Sequence, residues 1–362
     1  MIVLRYVLAR PAVPREPKRL AKGKVSIDKK QDTTADLYAA ACEVADQDIC
    51  QDTYEHFKQR DRRAWWWVMD FPVTDGEAQS VASEMGGVTR EMRGISSVPG
   101  RNPWACTRPR CDWLDLCHAN PDGNVDEWWG VETNDYSGLR EYAFTYKNGQ
   151  KKALKRDKPG AVLSPSELRT FLTCRRKWWF EYVKMAQRVK SKTNYGPRMR
   201  GVMAHKAAEI MGEMAKPMDL DDNLITSIAD GDEACTRFAD WCCEYMEQFN
   251  LDGAEDTTKF LADAERSFFA GKLMFKNATR DMDRILSIEQ RYAFLLPGTK
   301  SWITCQPDIV CQKDEDIYII DYKTSSSSRL DQVAEDYRYN PALYLYALAL
   351  TNGYEATEVM DV

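Results

Sequence analysis

Residues 316–324 read DIYIIDYKT, an apolar β-branched and aromatic run that ends on an acid and a lysine two positions apart. Alternate residues of a strand share a face, so Asp321 and Lys323 project together while Tyr322 points the other way. Burying charge is costly unless it is paired, so this strand end is either a satisfied Asp–Lys ion pair or a place where something charged binds. The preceding stretch, SWITCQPDIVCQ (301–312), is also strand-like, and KDED (313–316) between them reads as a tight hairpin turn. That register sets Asp308 opposite Asp321. Facing carboxylates repel unless one is protonated or a cation bridges them, and hard oxygen ligands favour Mg²⁺ or Mn²⁺. With Lys323 to assist an attacking water, the set suits metal-dependent phosphodiester hydrolysis.

The chain has 362 residues, 44% of them hydrophobic, enough for one large or two ordinary domains with a substantial core. No run of eighteen apolar residues appears, and the opening MIVLRYVLARP is too short and too interrupted by Arg5 and Arg10 for a signal peptide. The expectation is a protein of the cytoplasm, in a bacterial or phage-infected cell, without membrane contact. Its eleven cysteines are then expected to be reduced, and a cluster of them points to metal before disulfides. The net charge of −6 hides a basic stretch: between Lys147 and Arg200 sixteen Lys and Arg stand against three acids, a local charge of +13. In CRRKWWFEYVKMAQRVKSK (174–192) cations alternate with aromatics. Arg175, Arg176, Lys177 and Trp178, with Arg198 and Arg200 beyond them, are therefore candidates for contacting nucleic acid, the alternative being a solvated face.

Along the chain, residues 1–11 and 64–74 read as strands, and 32–60 and 75–94 as helices, followed by a cysteine-rich loop. A polar passage over 118–160 reads as a linker. Residues 163–183 are expected as one capped helix, 198–215 as a second and 216–285 as an acidic helical insertion. Strands then cover 285–298, 301–312 and 316–324, a helix covers 340–350, and the last residues begin another strand.

Pro307-Asp308 followed by Asp321-Tyr322-Lys323 resembles the core motif of the PD-(D/E)XK nucleases. GVMAHKAAE (201–209) resembles the histidine-bearing helix of their RecB-like branch, and NPALYLYALA that branch's Gln-x-x-x-Tyr helix, with Tyr344 in place and Asn340 where glutamine is usual. Glu289 in SIEQRY matches the acid of the preceding strand. The resemblance implies an α/β restriction-endonuclease-like core with a mixed central sheet flanked by helices. It also implies Mg²⁺ or Mn²⁺ held by His205, Asp308, Asp321 and the Tyr322 carbonyl, catalysis by Asp308, Asp321, Lys323, His205 and Glu289, and support or DNA contact from Tyr344 and Asn340.

NPWACTRPRCDWLDLCHAN holds Cys106, Cys111 and Cys117, and SPSELRTFLTCRRKWWFEYV resembles the segment that carries the first cluster cysteine in AddB-type and CRISPR-adaptation nucleases, placing Cys174 there. The resemblance implies a [4Fe–4S] cluster on these four thiols, with Zn²⁺ as the alternative. In the family the single cysteine comes first and the three come last, so this chain reads as circularly permuted. Residues 1–117 would be the second half of the core, 118–160 the join between ancestral ends, and 161–362 the first half. Residues 354–361 and 2–9 are then expected as adjacent antiparallel strands. The implied function is a metal-dependent DNA exonuclease acting on ends or single strands in repair, recombination or phage DNA processing, with a protein partner in a recombination or replication complex. The rival is a catalytically inactive iron–sulfur DNA-binding subunit.

Overall fold

The structure, a computed structural model, describes residues 1–9, 17–20, 23–29, 35–106, 111, 113–119, 131–133, 141–147, 150–155, 162–184, 186–188, 197–248, 254–325 and 341–351. Its centre is a mixed five-stranded sheet drawn from both parts of the chain. Strands β1 (Ile2–Ala9) and β2 (Trp66–Val73) join β8 (Arg284–Ile288), β11 (Ile309–Lys313) and β12 (Asp316–Thr324) in the order β2-β1-β12-β11-β8. β1 runs parallel to β12 and antiparallel to β2, while β11 is antiparallel to both of its neighbours. The β11–β12 hairpin turns through Asp314, whose φ of 52° lies in the left-handed region. Its register pairs Ile309 with Ile320 and Lys313 with Asp316, as the sequence predicts.

The alternation of β1 and β12 splits the core in two. Leu4, Tyr6, Leu8 and Ile319 face one layer, covered by α3 (Asp75–Gly94), α5 (Pro165–Thr173) and α11 (Pro341–Thr351). Val7, Ala9, Ile320 and Tyr322 face the other, covered by α7 (Pro197–Ala215), α8 (Asp222–Asp230) and α10 (Ala254–Thr279). The acidic helical region thus supplies a core layer: Met274 and Phe275 of α10 are fully buried, each worth about 1.5–3 kcal/mol. α9 (Asp232–Gln248) packs outside α7 and α10 through Phe238 and Cys242. α3 begins with a capping box in which Thr74 and Glu77 satisfy each other's backbone N–H groups. No helix among the described residues is long and apolar enough to cross a membrane.

Around this centre lie α1 (Ala35–Val44), α2 (Gln51–Trp65) and α4 (Leu114–Ala119). Within the expected linker, β3 (Val131–Thr133) pairs with β7 (Ala186–Arg188), and β4 (Glu141–Lys147) pairs with β5 (Gln150–Lys155). A small second sheet holds β6 (Val162–Leu163), β10 (Trp302–Cys305) and β9 (Tyr292–Leu295).

Two expectations need correction. The helix predicted over 163–183 is broken at Cys174, which is extended (φ −158°, ψ 110°) and separates α5 from the short α6 (Arg175–Trp178) and a π-turn over Trp179–Val183. The expected pairing of 354–361 with 2–9 has no room. β1 is bonded along its whole length to β12 on one edge and β2 on the other. Residues 354–361 themselves lie outside the described residues.

Arg5, read in the sequence only as an interruption, is 7% exposed in the middle of β1. Its guanidinium makes a fork to Asp70 directly across on β2, with both bonds at 2.7 Å, and donates to the Ala278 and Arg280 carbonyls at the end of α10 at 3.3 Å. One side chain therefore ties two strands to a helix terminus. Arg5→Ala should lower unfolding stability by about 1–3 kcal/mol, because it removes the fork to Asp70 and leaves the buried Ala278 carbonyl without that donor. Urea denaturation followed by far-UV circular dichroism measures it, and an unchanged midpoint would contradict the role.

Candidate metal centre and active site

The site forms where a long hairpin bends. β8 and β9 are one predicted strand broken at residues 289–291, and β10 and β11 are another broken at 306–308, so the pair leaves the small sheet and enters the large one at the same level. Glu289 sits on the first corner with φ 47°, a costly conformation for a residue with a Cβ. The corners are tied together: Glu289 N–H donates to the Asp308 carbonyl at 3.0 Å, Gln306 Nε2 donates to Glu289 Oε2 at 2.7 Å, and Arg291 Nε donates to Gln306 Oε1 at 2.6 Å. Gln306 and Arg291, which hold Glu289 in place, went unread in the sequence. Their only signal was nearness to Glu289 and Asp308.

His205 approaches from α7, squeezed between the end of β12 and α10. A Cβ on Gly201 would lie 2.8 Å from Thr324 Oγ1, and one on Gly271 of α10 would lie 2.7 Å from the Ala204 carbonyl oxygen. Small residues at these crossings let the helix sit low enough for His205 Nδ1 to reach Asp308 Oδ1 at 3.4 Å, with its ring edge-on to Tyr322 at 5.9 Å. One ligand atom each from His205, Glu289 and Asp308 lies within 4.8 Å of the other two. No metal is needed to see why they cluster, but two acids and an imidazole at this spacing are a suitable donor set for a divalent cation.

The hairpin register carries Asp321 beside Asp308. Asp308 Oδ2 accepts from the Tyr322 N–H, and Lys323 Nζ contacts Asp321 Oδ2 while donating to the Tyr322 carbonyl at 2.9 Å. That carbonyl, expected as a metal ligand, is engaged by the lysine here. The Lys323–Asp321 contact is an ion pair without hydrogen-bond geometry, so buried Asp321 Oδ2 has no hydrogen-bond partner. A second buried carboxylate beside Asp308, balanced here by one lysine, adds an oxygen that a cation could use.

Electrostatics separate the acids. Burial disfavours a charged Asp308, but His205, Lys323 and the Tyr322 N–H outweigh it and hold the carboxyl below its usual range. Asp321 is pushed up by burial and by Asp308, with Lys323 opposing. Glu289 is pushed up to about 8, first by burial and then by Asp308 and Glu209. Burial disfavours a charged His205, yet Asp308 and Asp321 leave its pKa raised.

The other candidates are placed differently. Tyr344 is half-buried against the core on α11. The tyrosine whose hydroxyl lies in the field of Asp321 and Asp308 is Tyr346, its pKa raised by burial first. Asn340 and the Arg198 side chain lie outside what the structure describes. Arg200 Nη1 is 3.9 Å from Asp263. Arg175 forks onto Glu91 at 2.6 and 3.0 Å, and Lys177 is 3.7 Å from Glu181. Trp178, expected to stack on nucleic acid, is a core residue with no exposure, its indole N–H bonded to Glu167 at 2.9 Å, and Arg176 is 6% exposed over the Phe180 ring. Their apolar neighbours on α5 and the π-turn claim them first.

Cys106, Cys111, Cys117 and Cys174 gather at a second place. Cys117 packs with Trp113, Leu116 and Phe180, and Cys111 borders that cluster. Burial raises the pKa of Cys111 and Cys117, and each lies within electrostatic reach of Cys106 and Cys174. Lys177 faces Cys111, and Arg176 and Arg101 face Cys117, each opposing that rise.

A family model described as the PD-(D/E)XK nuclease superfamily matches residues 162–360. Searches among curated proteins and among solved structures found no match.

Because Glu289 carries a proton below about 8 in the metal-free site, a cation must displace it, and the raised His205 adds to this competition. Mn²⁺ affinity should therefore rise with pH up to about 8 and flatten above it, with proton release on binding. Isothermal titration calorimetry in buffers of different ionisation heat reads both. An affinity flat between acidic and neutral pH would count against these ligands.

Proposed function

The chain belongs to the PD-(D/E)XK nuclease superfamily, and on that premise we propose that it is a Mg²⁺- or Mn²⁺-dependent deoxyribonuclease, acting as an exonuclease on DNA ends or single strands. The observation that carries the reading is the convergence of His205, Glu289 and Asp308 ligand atoms within 4.8 Å, beside Asp321 and Lys323. A bound divalent ion would supply Lewis-acid polarisation of the scissile phosphate. The residues do the rest. Asp308, kept ionised by His205 and the Tyr322 N–H, offers a fixed carboxylate, and Asp321 adds a second oxygen. Glu289 is aimed by the Gln306–Arg291 chain. Lys323 can exchange its contact with Asp321 for the phosphate or the attacking water, placing positive charge where negative charge develops.

We propose in addition that Cys106, Cys111, Cys117 and Cys174 hold an iron–sulfur cluster. Support comes from their mutual electrostatic reach and from the break at Cys174, which turns the chain out of the helix there. A cluster would staple the segment before α4 to the end of α5.

A circularly permuted order accounts for β1. A strand parallel to its neighbour needs a crossover connection, usually helical, and α11 follows β12 and covers the face shared with β1. The path β12–α11–β1 would be an ordinary βαβ unit cut open. The proposed cellular setting is DNA repair, recombination or phage DNA processing.

Asp321→Ala and Lys323→Ala should each abolish divalent-dependent degradation of end-labelled DNA while leaving binding largely intact, since most affinity comes from phosphate contacts elsewhere. Wild-type rates in either variant would sink the assignment. Anaerobically purified protein should be brown and contain iron. Cys174→Ser should lose that colour and unfold at lower urea, whereas colourless zinc-bearing protein would redirect the metal.

A further inference from the structure

Trp104 is 87% exposed, the highest value among the large apolar side chains that the structure describes as exposed. It sits on the 3-10 turn Pro103–Cys106, and this turn is held firmly. Asn102 Oδ1 accepts from the Trp104 N–H at 3.2 Å, the Asn102 carbonyl accepts from Ala105 N–H at 3.1 Å, and Asn102 Nδ2 donates to the Thr173 carbonyl at the end of α5 at 2.8 Å. Pro103 fixes one backbone angle more. The indole is thus presented to water from a pre-organised support.

The surroundings are cationic. Arg101 and Arg169 are exposed on the two segments that Asn102 joins. Arg175 follows on α6, its charge set against Glu91. Glu181, another nearby acid, is taken by the Trp113 indole N–H at 2.7 Å and lies 3.7 Å from Lys177, leaving Asp115 on α4 as the remaining exposed acid of these elements. A protein partner that buries an exposed tryptophan needs an apolar socket, and nothing in this rim of arginines selects for one. A flexible polyanion with flat, π-faced units fits both features.

We propose that Trp104 is a stacking platform for a base of single-stranded nucleic acid, with Arg101 and Arg169 drawing the backbone alongside. The proposal deepens the nuclease reading and rests on it. It also relocates the aromatic contact: the tryptophan next to the arginine run, Trp178, is in the core, and the one that is exposed among the described residues comes from the three-cysteine segment.

The test is fluorescence anisotropy with a labelled oligothymidylate and a blunt duplex, without added divalent metal so that nothing is cut. Trp104→Ala should weaken oligothymidylate binding about tenfold. Trp104→Phe should restore most of it, the duplex affinity should not change, and the dependence on salt should keep its slope because no ionic contact is lost. Equal binding by Trp104→Ala, an equal loss on duplex and single strand, or a changed salt slope would each overturn the platform. Metal-dependent cleavage by the wild-type protein is scored separately. Its absence counts against the nuclease reading alone, whereas Trp104-dependent binding supports the platform in either case.

Discussion

The bend shared by two strands organises this molecule. A straight hairpin from 284 to 313 would bury one continuous face against one sheet. Because both strands kink at one level, the outer halves join β6 in a small sheet and the inner halves enter the central one. Corners in β structure cost hydrogen bonds and backbone strain, visible in the positive φ of Glu289. They also free polar residues from the apolar alternation that a strand imposes. Glu289, Gln306 and Asp308 all sit at these corners, and the backbone bond from Glu289 to Asp308 fixes their spacing. The acids converge because the chain turns there.

Charge on the β12 side obeys a different constraint. Asp321 lies within a strand flanked by β1 and β11, so it cannot retreat to solvent and depends on its neighbours. Lys323, two positions on, lies on the same face by strand geometry and compensates part of the burial. The compensation is incomplete, since burial and Asp308 still push the Asp321 pKa up against Lys323. Arg5 makes an instructive contrast in the neighbouring strand. Its guanidinium donates four hydrogen bonds, two to Asp70 and two to helix-end carbonyls, which marks it as structural glue. Two buried charges of one sheet are therefore told apart by whether their partners are complete.

What the sequence disclosed follows the same division. The hairpin register, the shared face of Asp321 and Lys323 and the helix bearing His205 were legible, because strand alternation and a short turn leave little freedom. The break at Cys174 was not. Nothing in LTCRRKWW interrupts a helical pattern, yet the backbone is extended at Cys174, a residue within electrostatic reach of Cys117. The basic-aromatic run misled for a related reason. Aromatics beside cations look like a nucleic-acid surface, but Trp178 and Phe180 complete two apolar clusters, and Arg176 lies over the Phe180 ring between them. Gln306, Arg291 and Tyr346 escaped because their roles depend on corners and a helix docking that local pattern does not encode.

α7 joins these two constraints. It must lie close to β12 for His205 to meet Asp308, and it must also accept α10, which covers the same sheet face. Both demands are met by removing side chains, at Gly201 toward Thr324 and at Gly271 toward Ala204 and Ala207. Ala204 and Ala208 are buried in this seam, and His205 between them is turned toward the open end of the sheet. An extra methyl group in the seam has nowhere to go, because its nearest contacts are backbone and a packed neighbour. The helix position, and with it the distance from imidazole to carboxylate, is then set by packing against Thr324 and Gly271, both far from His205 in sequence. The site's ligands come from the strand corners, but its closure depends on how tightly the acidic helical layer sits on the sheet.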